Sequence, residues 1–169
     1  MKPSPLPRHA PLFALVLALA GCGPGDPRAL TNAGKAALAS GDAAKAEQQF
    51  REALAGLKPG DPDYARAGIG RIQALVRLDA KRAKDEFLAW AQANRSSVGE
   101  EDYSLVVSEL LRRENTLEAI EVMDAGIKAF PESPRMAAVK KEVAEQAQKA
   151  KDPAALQKMK GLGYIGGDK

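Results

Sequence analysis

The sequence contains one cysteine, Cys22, and one histidine, His9, and both lie within the first 22 residues. A single cysteine cannot close a disulfide within the chain. If the chain is cut before Cys22, no histidine remains, and the usual general base near neutral pH and the usual zinc ligand are both missing. Ser-His-Asp and Cys-His catalysis are then excluded. We therefore predict a protein that is not an enzyme and that has no cofactor and no metal site.

The sequence also lacks a long apolar run. The apolar stretch at residues 11–20 is well below the roughly 20 residues that a membrane-spanning helix needs. Lys2 and Arg8 precede this stretch and small residues follow it, which is the arrangement of a secretory signal. Removal of these two cations lowers the formal charge from +3 to about +1, so we predict no nucleic-acid partner.

Residues 19–22 read Leu-Ala-Gly-Cys and end this segment. They resemble the bacterial lipobox, in which the signal peptidase cuts before the cysteine and the cysteine then carries the lipid. The resemblance implies a signal peptide over 1–21, followed by a lipidated Cys22 and a flexible tether over 22–26. It also implies a protein that its N-terminal lipid holds in the bacterial cell envelope, and Gly23 favours the outer membrane, facing the periplasm. The alternative is an ordinary signal peptide with a chance cysteine.

Helix start signals divide the rest of the chain. Four positions pair a capping side chain with a following proline, which suits the first helical position: Asp26, Asp61, Ser133 and Asp152. Asp42, Asp79 and Asn115 are further predicted caps, and Asn115 with Glu118 resembles a capping box. No alternating β-branched run is long enough for a strand, so the fold class is all-α. The predicted helices cover residues 27–40, 43–57, 62–77, 80–94, 100–113, 116–130, 134–150 and 153–160, and their short turns imply antiparallel pairs.

Small and large residues recur along these helix pairs. The first pair combines Gly34 with Ala46, Phe50 and Ala53, and it resembles the tetratricopeptide repeat, in which small residues sit where two helices approach. Ala83 and Phe87 take the positions of Ala46 and Phe50 in the second pair. Ala119 and Met123 take them in the third, where Pro131 is the closing proline of the repeat. The resemblance implies a short solenoid of about eight stacked helices. The alternative is a generic alanine-rich helical bundle, in which small residues recur by chance.

The predicted domains follow from this pattern. The repeat domain covers residues 27–150, and helix 134–150, with its apolar stripe of Met136, Val139, Val143 and Ala147, closes the open end of the stack. Residues 151–169 are predicted to form a short terminal helix and a glycine-rich tail. Within the tail, Leu162, Tyr164 and Ile165 are predicted to pack as a hook on the last helices, with partner recognition as the alternative.

Tetratricopeptide proteins hold peptides or partner helices on the face made by the first helix of each pair. On this chain the resemblance places these residues on that face: Thr31, Lys35, Ile69, Ile72, Val76, Ser104, Ser108 and Leu111. An alternative interpretation is that the isoleucines belong to the core of an irregular second repeat.

The combined expectation is a lipoprotein that acts as a scaffold, adaptor or assembly factor for an unknown protein partner at the membrane. Two alternatives stay open. One is a structural subunit of an envelope complex without a peptide groove. The other is a cell-wall enzyme that uses carboxylates, which would need two of them about 5–10 Å apart in a cleft.

Overall fold

A computed structural model describes residues 25–166 of the chain. Cys22, the predicted signal peptide and most of the predicted tether lie outside the described residues. The described part contains eight α-helices: α1 (Pro27–Ala39), α2 (Ala43–Gly56), α3 (Pro62–Leu78), α4 (Ala80–Ala93), α5 (Glu100–Arg112), α6 (Thr116–Ala129), α7 (Pro134–Ala150) and α8 (Pro153–Gly161). It contains no strand, and each helix begins and ends within one residue of its predicted boundary. The all-α prediction is confirmed.

The capping side chains explain why the boundaries are so well marked. Asp42 accepts a hydrogen bond from the Lys45 backbone N–H at 3.0 Å, and Asp79 caps α4 in the same way. Two predictions about caps are wrong. The Asp61 carboxylate makes no bond to the helix that it precedes, because it accepts the Lys58 backbone N–H at 2.7 Å instead. Asn115 makes no side-chain cap bond, so its predicted capping box is not formed.

The helices pack as successive antiparallel pairs in a solenoid-like stack. The first helices α1, α3, α5 and α7 contact one another in order, and the second helices α4, α6 and α8 do the same. Helix α2 also packs against α3, and α6 against α7, so each second helix of these pairs lies between two first helices. The exception is the junction of α4 and α5, which are not in extensive contact. The stack is therefore regular at its first and third junctions and open at its second.

The predicted small and large residues build the core of the stack. The signature residues of the second helices are fully buried: Ala46, Phe50, Ala53, Ala83, Phe87, Ala119 and Met123. A Cβ added at Gly34 would lie 2.9 Å from the Phe50 ring, so glycine lets α1 and α2 approach as predicted. Pro131 lies in the turn after α6 and is exposed.

The end of the stack contains one helix pair more than the three predicted repeats. The apolar stripe of α7 is buried, as expected for the closing helix. Helix α8 then packs on both α6 and α7, with Ala155 and Met159 fully buried, so α7 and α8 form a fourth pair. In the tail, Tyr164 and Ile165 pack against the core, as predicted for a hook, whereas Leu162 is exposed. The Tyr164 hydroxyl donates to Asp124 at 2.8 Å.

Charged side chains link helices across the layers. Arg77 of α3 donates to the Leu38 carbonyl of α1 at 2.7 Å and pairs with the buried carboxylate of Glu109 of α5 at 3.3 Å. Glu121 of α6 pairs with Lys84 of α4 and with Lys158 of α8. One link thus joins three first helices, and the other joins three second helices.

A third charged network lies between α2, α3 and α4. Arg71 of α3 pairs with Glu47 of α2 at 3.0 Å and with Glu86 of α4 at 2.6 Å. Burial raises the pKa of Glu86, but Arg82 and Arg71 oppose it strongly enough that its pKa lies below the usual value. Glu86 therefore stays ionised and keeps α3 and α4 joined on this side of the stack.

Candidate functional site

The residues predicted for the partner face do not all lie on a surface. Ile72 and Val76 are each 3% exposed and belong to the main core cluster, and Ile69 is also buried. This burial agrees with the alternative that the isoleucines are core. Thr31 is buried too, and its hydroxyl donates to the Pro27 carbonyl at 2.8 Å within α1.

The remaining members of that set divide between core and surface. Leu111 is 7% exposed and packs in the main core cluster, while Ser104 is half-buried. Lys35 and Ser108 are exposed. A binding role for any of these residues stays a prediction, but only Lys35 and Ser108 present an exposed side chain to a partner.

A small cavity nevertheless lies on the predicted face. It has a volume of about 270 Å³ and is lined by α1, α3, the connection after α4 and the start of α5; the lining residues are Lys35, Ala65, Arg66, Ile69, Gly70, Gln73, Ser97 and Asp102. On α3 the lining residues Ala65, Ile69 and Gln73 are spaced four apart, so they form one stripe of the helix. Ile72 and Val76, by contrast, are buried in the core. We call this cavity the first-helix groove.

The groove is more polar than the sequence indicated. Arg66 pairs with Asp63 of its own helix, and Lys35 is exposed at the other wall. Asp102 accepts the Gly99 backbone N–H at 2.9 Å, which caps α5, and burial raises the pKa of its carboxyl group. The groove thus offers two cations, an amide and one carboxylate to a polar partner.

A larger cavity lies between the C-terminal ends of α4 and α6. Its volume is about 580 Å³, and its lining is mainly apolar: Leu88, Ala91, Gln92, Arg95, Val98, Tyr103, Ala125, Lys128, Ala129 and Phe130. We call it the α4–α6 cavity. It shares no lining residue with the first-helix groove.

Tyr103 forms part of the wall of the α4–α6 cavity. Its ring contacts Phe87 edge-on at 5.0 Å between centroids and Phe130 edge-on at 5.9 Å. The residue is 8% exposed, and burial raises the pKa of its hydroxyl, an effect that the nearby charge of Arg95 partly opposes. Tyr103 is thus a buried phenol close to a cation.

Two cations stand at this cavity. Lys128 is held by Asp124 at 2.7 Å on its own helix. Arg95 lies in the connection between α4 and α5, is exposed, and has no acidic partner within 4.0 Å among the residues that the structure describes. The mouth of the cavity is therefore positively charged.

No sequence pattern predicted this cavity, and none marked Tyr103, Arg95, Val98 or Phe130 as binding residues. The available signal was the connection between α4 and α5, which runs from Asn94 to Gly99 and is the longest between described helices.

The described residues give little support to a metal site or to a carboxylate-based active site. Between residues 25 and 166 no group of three or more carboxylates, cysteines or histidines is placed to hold a metal ion. The α4–α6 cavity is lined by no carboxylate and the first-helix groove by Asp102 alone, so neither has the carboxylate pair that the cell-wall enzyme alternative requires. Within the same residues no helix is both long and apolar enough to cross a membrane.

Comparisons with family models, with curated proteins and with solved structures give no match for this chain.

Proposed function

We propose that this protein is a bacterial lipoprotein with tetratricopeptide-like repeats that holds a partner protein at the membrane, as an adaptor or assembly factor of the cell envelope. The anchor rests on the lipobox-like residues 19–22 and the short apolar run before them. The scaffold rests on the buried small and large residues of the first three helix pairs.

One observation carries the binding role: the first-helix groove lies across α1, α3 and α5. This is the face on which tetratricopeptide proteins hold their partners. Its exposed members, Lys35, Arg66 and Ser97, and the half-buried Gln73 are all polar, so we expect a polar or charged segment of the partner to bind here.

The test uses the protein in membranes of its own host. Variants at Ile72 or Val76 are unsuitable, because a charge at these buried positions would unfold the domain. The double variant Lys35→Glu/Gln73→Glu changes only accessible side chains, and Lys45→Glu on α2 is the matched exposed control. We expect a partner that cross-links to the wild type and to Lys45→Glu and that is lost from the groove variant.

The anchor is tested separately with Cys22→Ser. We expect the wild type in the membrane fraction, with a lipid mass on Cys22, and the variant to be released from it. An unmodified Cys22 thiol in exported protein would contradict the anchor. A partner that is retained by the groove variant but lost on deletion of α7 and α8 would favour a structural subunit without a groove.

A further inference from the structure

The α4–α6 cavity has the size and lining of a small-molecule site. Ligand pockets are typically about 300–1,000 Å³, with apolar walls and few polar groups, and this cavity of about 580 Å³ falls within that range. Its walls cover about one turn of each helix, from Leu88 to Gln92 on α4 and from Ala125 to Ala129 on α6. One turn is about 5.4 Å long, which suits a compact ligand better than a protein surface, since a stable protein interface covers about 800 Å² on each partner.

The polar groups of the cavity favour an anion. The Tyr103 hydroxyl forms no hydrogen bond with the described residues, although the residue is more than nine-tenths buried. The fully buried side-chain atoms without a partner in the described part are Gln49 Oε1 and Trp90 Nε1. The Tyr103 oxygen is not among them, so it keeps some exposure, and Tyr103 lines the cavity. A phenol donor and the Arg95 guanidinium in the lining of one cavity are suitable groups for a carboxylate, since hydrogen bonds to a charged acceptor are the stronger ones.

We propose that the α4–α6 cavity binds a free amphipathic carboxylate, whose anionic group is held by Tyr103 and Arg95 and whose apolar body lies against Leu88, Val98 and Phe130. The charge of the cavity agrees with this class of ligand. Its lining includes two cations and no carboxylate, and Lys128 is already paired with Asp124, which leaves Arg95 for the ligand. This site is separate from the first-helix groove and does not depend on the proposed partner.

The experiment is calorimetric titration of decanoate, below its micellar concentration, into the full chain made in a membrane-free cell-free system. We expect saturable binding of one decanoate per chain. Tyr103→Phe removes one hydrogen bond to a charged group, and Arg95→Gln removes the cation, so each should weaken binding about tenfold. Lys149→Gln on the exposed side of α7 is the matched control and should leave the affinity unchanged.

Two further arms test the apolar body and the anion. Ala129 lines the cavity and is exposed, so Ala129→Trp should block the cavity and abolish binding while the melting temperature stays that of the wild type. The neutral analogue 1-decanol should bind about tenfold more weakly than decanoate. The proposal is overturned if decanoate does not saturate, if 1-decanol binds as tightly, if Arg95→Gln matches the wild type, or if only a peptide binds there.

Discussion

The junction of α2 with α3 and the junction of α4 with α5 occupy the same place in successive layers, yet one is closed and the other is open. At the first junction the Phe50 ring lies directly on the backbone of α3 at Gly70, where an added Cβ would overlap the ring. At the second junction Phe87 meets the edge of Tyr103 at 5.0 Å between centroids. The ring of the second helix thus packs on a glycine of α3 at the first junction and on an aromatic ring of α5 at the second.

This difference explains the position of the α4–α6 cavity. A glycine contact lets two helix axes come close, whereas a pair of edge-packed rings holds them apart. The open side of Tyr103 is the wall of the cavity, and the long connection from Asn94 to Gly99 allows α5 to begin away from α4. We infer that the size of one side chain decides whether a junction of this stack is closed or borders a cavity.

Loss of the ring at the closed junction should have the largest effect. Phe50→Ala removes a fully buried side chain that contacts both α1 and α3, and such truncations cost about 3–5 kcal/mol. We expect this loss in the free energy of unfolding, measured by urea denaturation. Tyr103→Ala, which borders an existing cavity, should cost clearly less. Equal losses for the two variants would show that the junctions do not differ in packing.

A methyl group at the glycine of the closed junction should have an intermediate effect. Gly70→Ala places a Cβ against the Phe50 ring, which forces the helices apart and should cost about 1–3 kcal/mol. Gly161→Ala, at the end of α8, has no neighbouring atom within 4 Å and serves as the control. Thermal unfolding of both variants provides the check. A Gly70→Ala protein as stable as the control would mean that the closed junction tolerates a wider spacing.

The smallest effect should appear in the turns that follow the first helices α1 and α5. Gly41, after α1, has φ +87°, and Glu114, after α5, takes the same left-handed region with φ +63°. A non-glycine residue in this region costs roughly 1–2 kcal/mol of folding free energy. Glycine avoids this cost but loses more chain entropy on folding, which cancels part of the gain. We expect Glu114→Gly to stabilise the protein by about 0.5–1 kcal/mol, and Gly41→Ala to destabilise it. No gain in denaturant midpoint for Glu114→Gly would contradict this.

Local signals made most of the fold predictable. Asp-Pro and Ser-Pro pairs mark the helix starts, and these signals involve residues that are close in sequence. The packing of Gly34 with Ala46 and Phe50 involves only one helix pair. The outward face was harder, because Ile69 and Ile72 are both buried, yet Ile69 also lines the first-helix groove and Ile72 does not. An error of one position in the predicted helical phase is therefore enough to assign a core isoleucine to the groove.

The α4–α6 cavity could not be predicted from such signals. It depends on how far α5 stands from α4, and that distance results from the contact of Phe87 with Tyr103, sixteen positions further along the sequence. Periodicity identifies both aromatic residues as buried, but it does not say whether the two rings close or widen the space between their helices. Arg95, in the connection, carries no periodic signal.

The contact of Arg77 with Leu38 and Glu109 has a mechanical consequence. Rotation of one layer against the next would separate this guanidinium from the Leu38 carbonyl and from the buried Glu109 carboxylate, which would keep only its pairs with Arg112 and Arg113. The Glu121 link opposes the same rotation at the second helices. The domain should therefore behave as a stiff body without a hinge, and a molecule that docks on it would meet a surface already in its final shape and lose little entropy in ordering it.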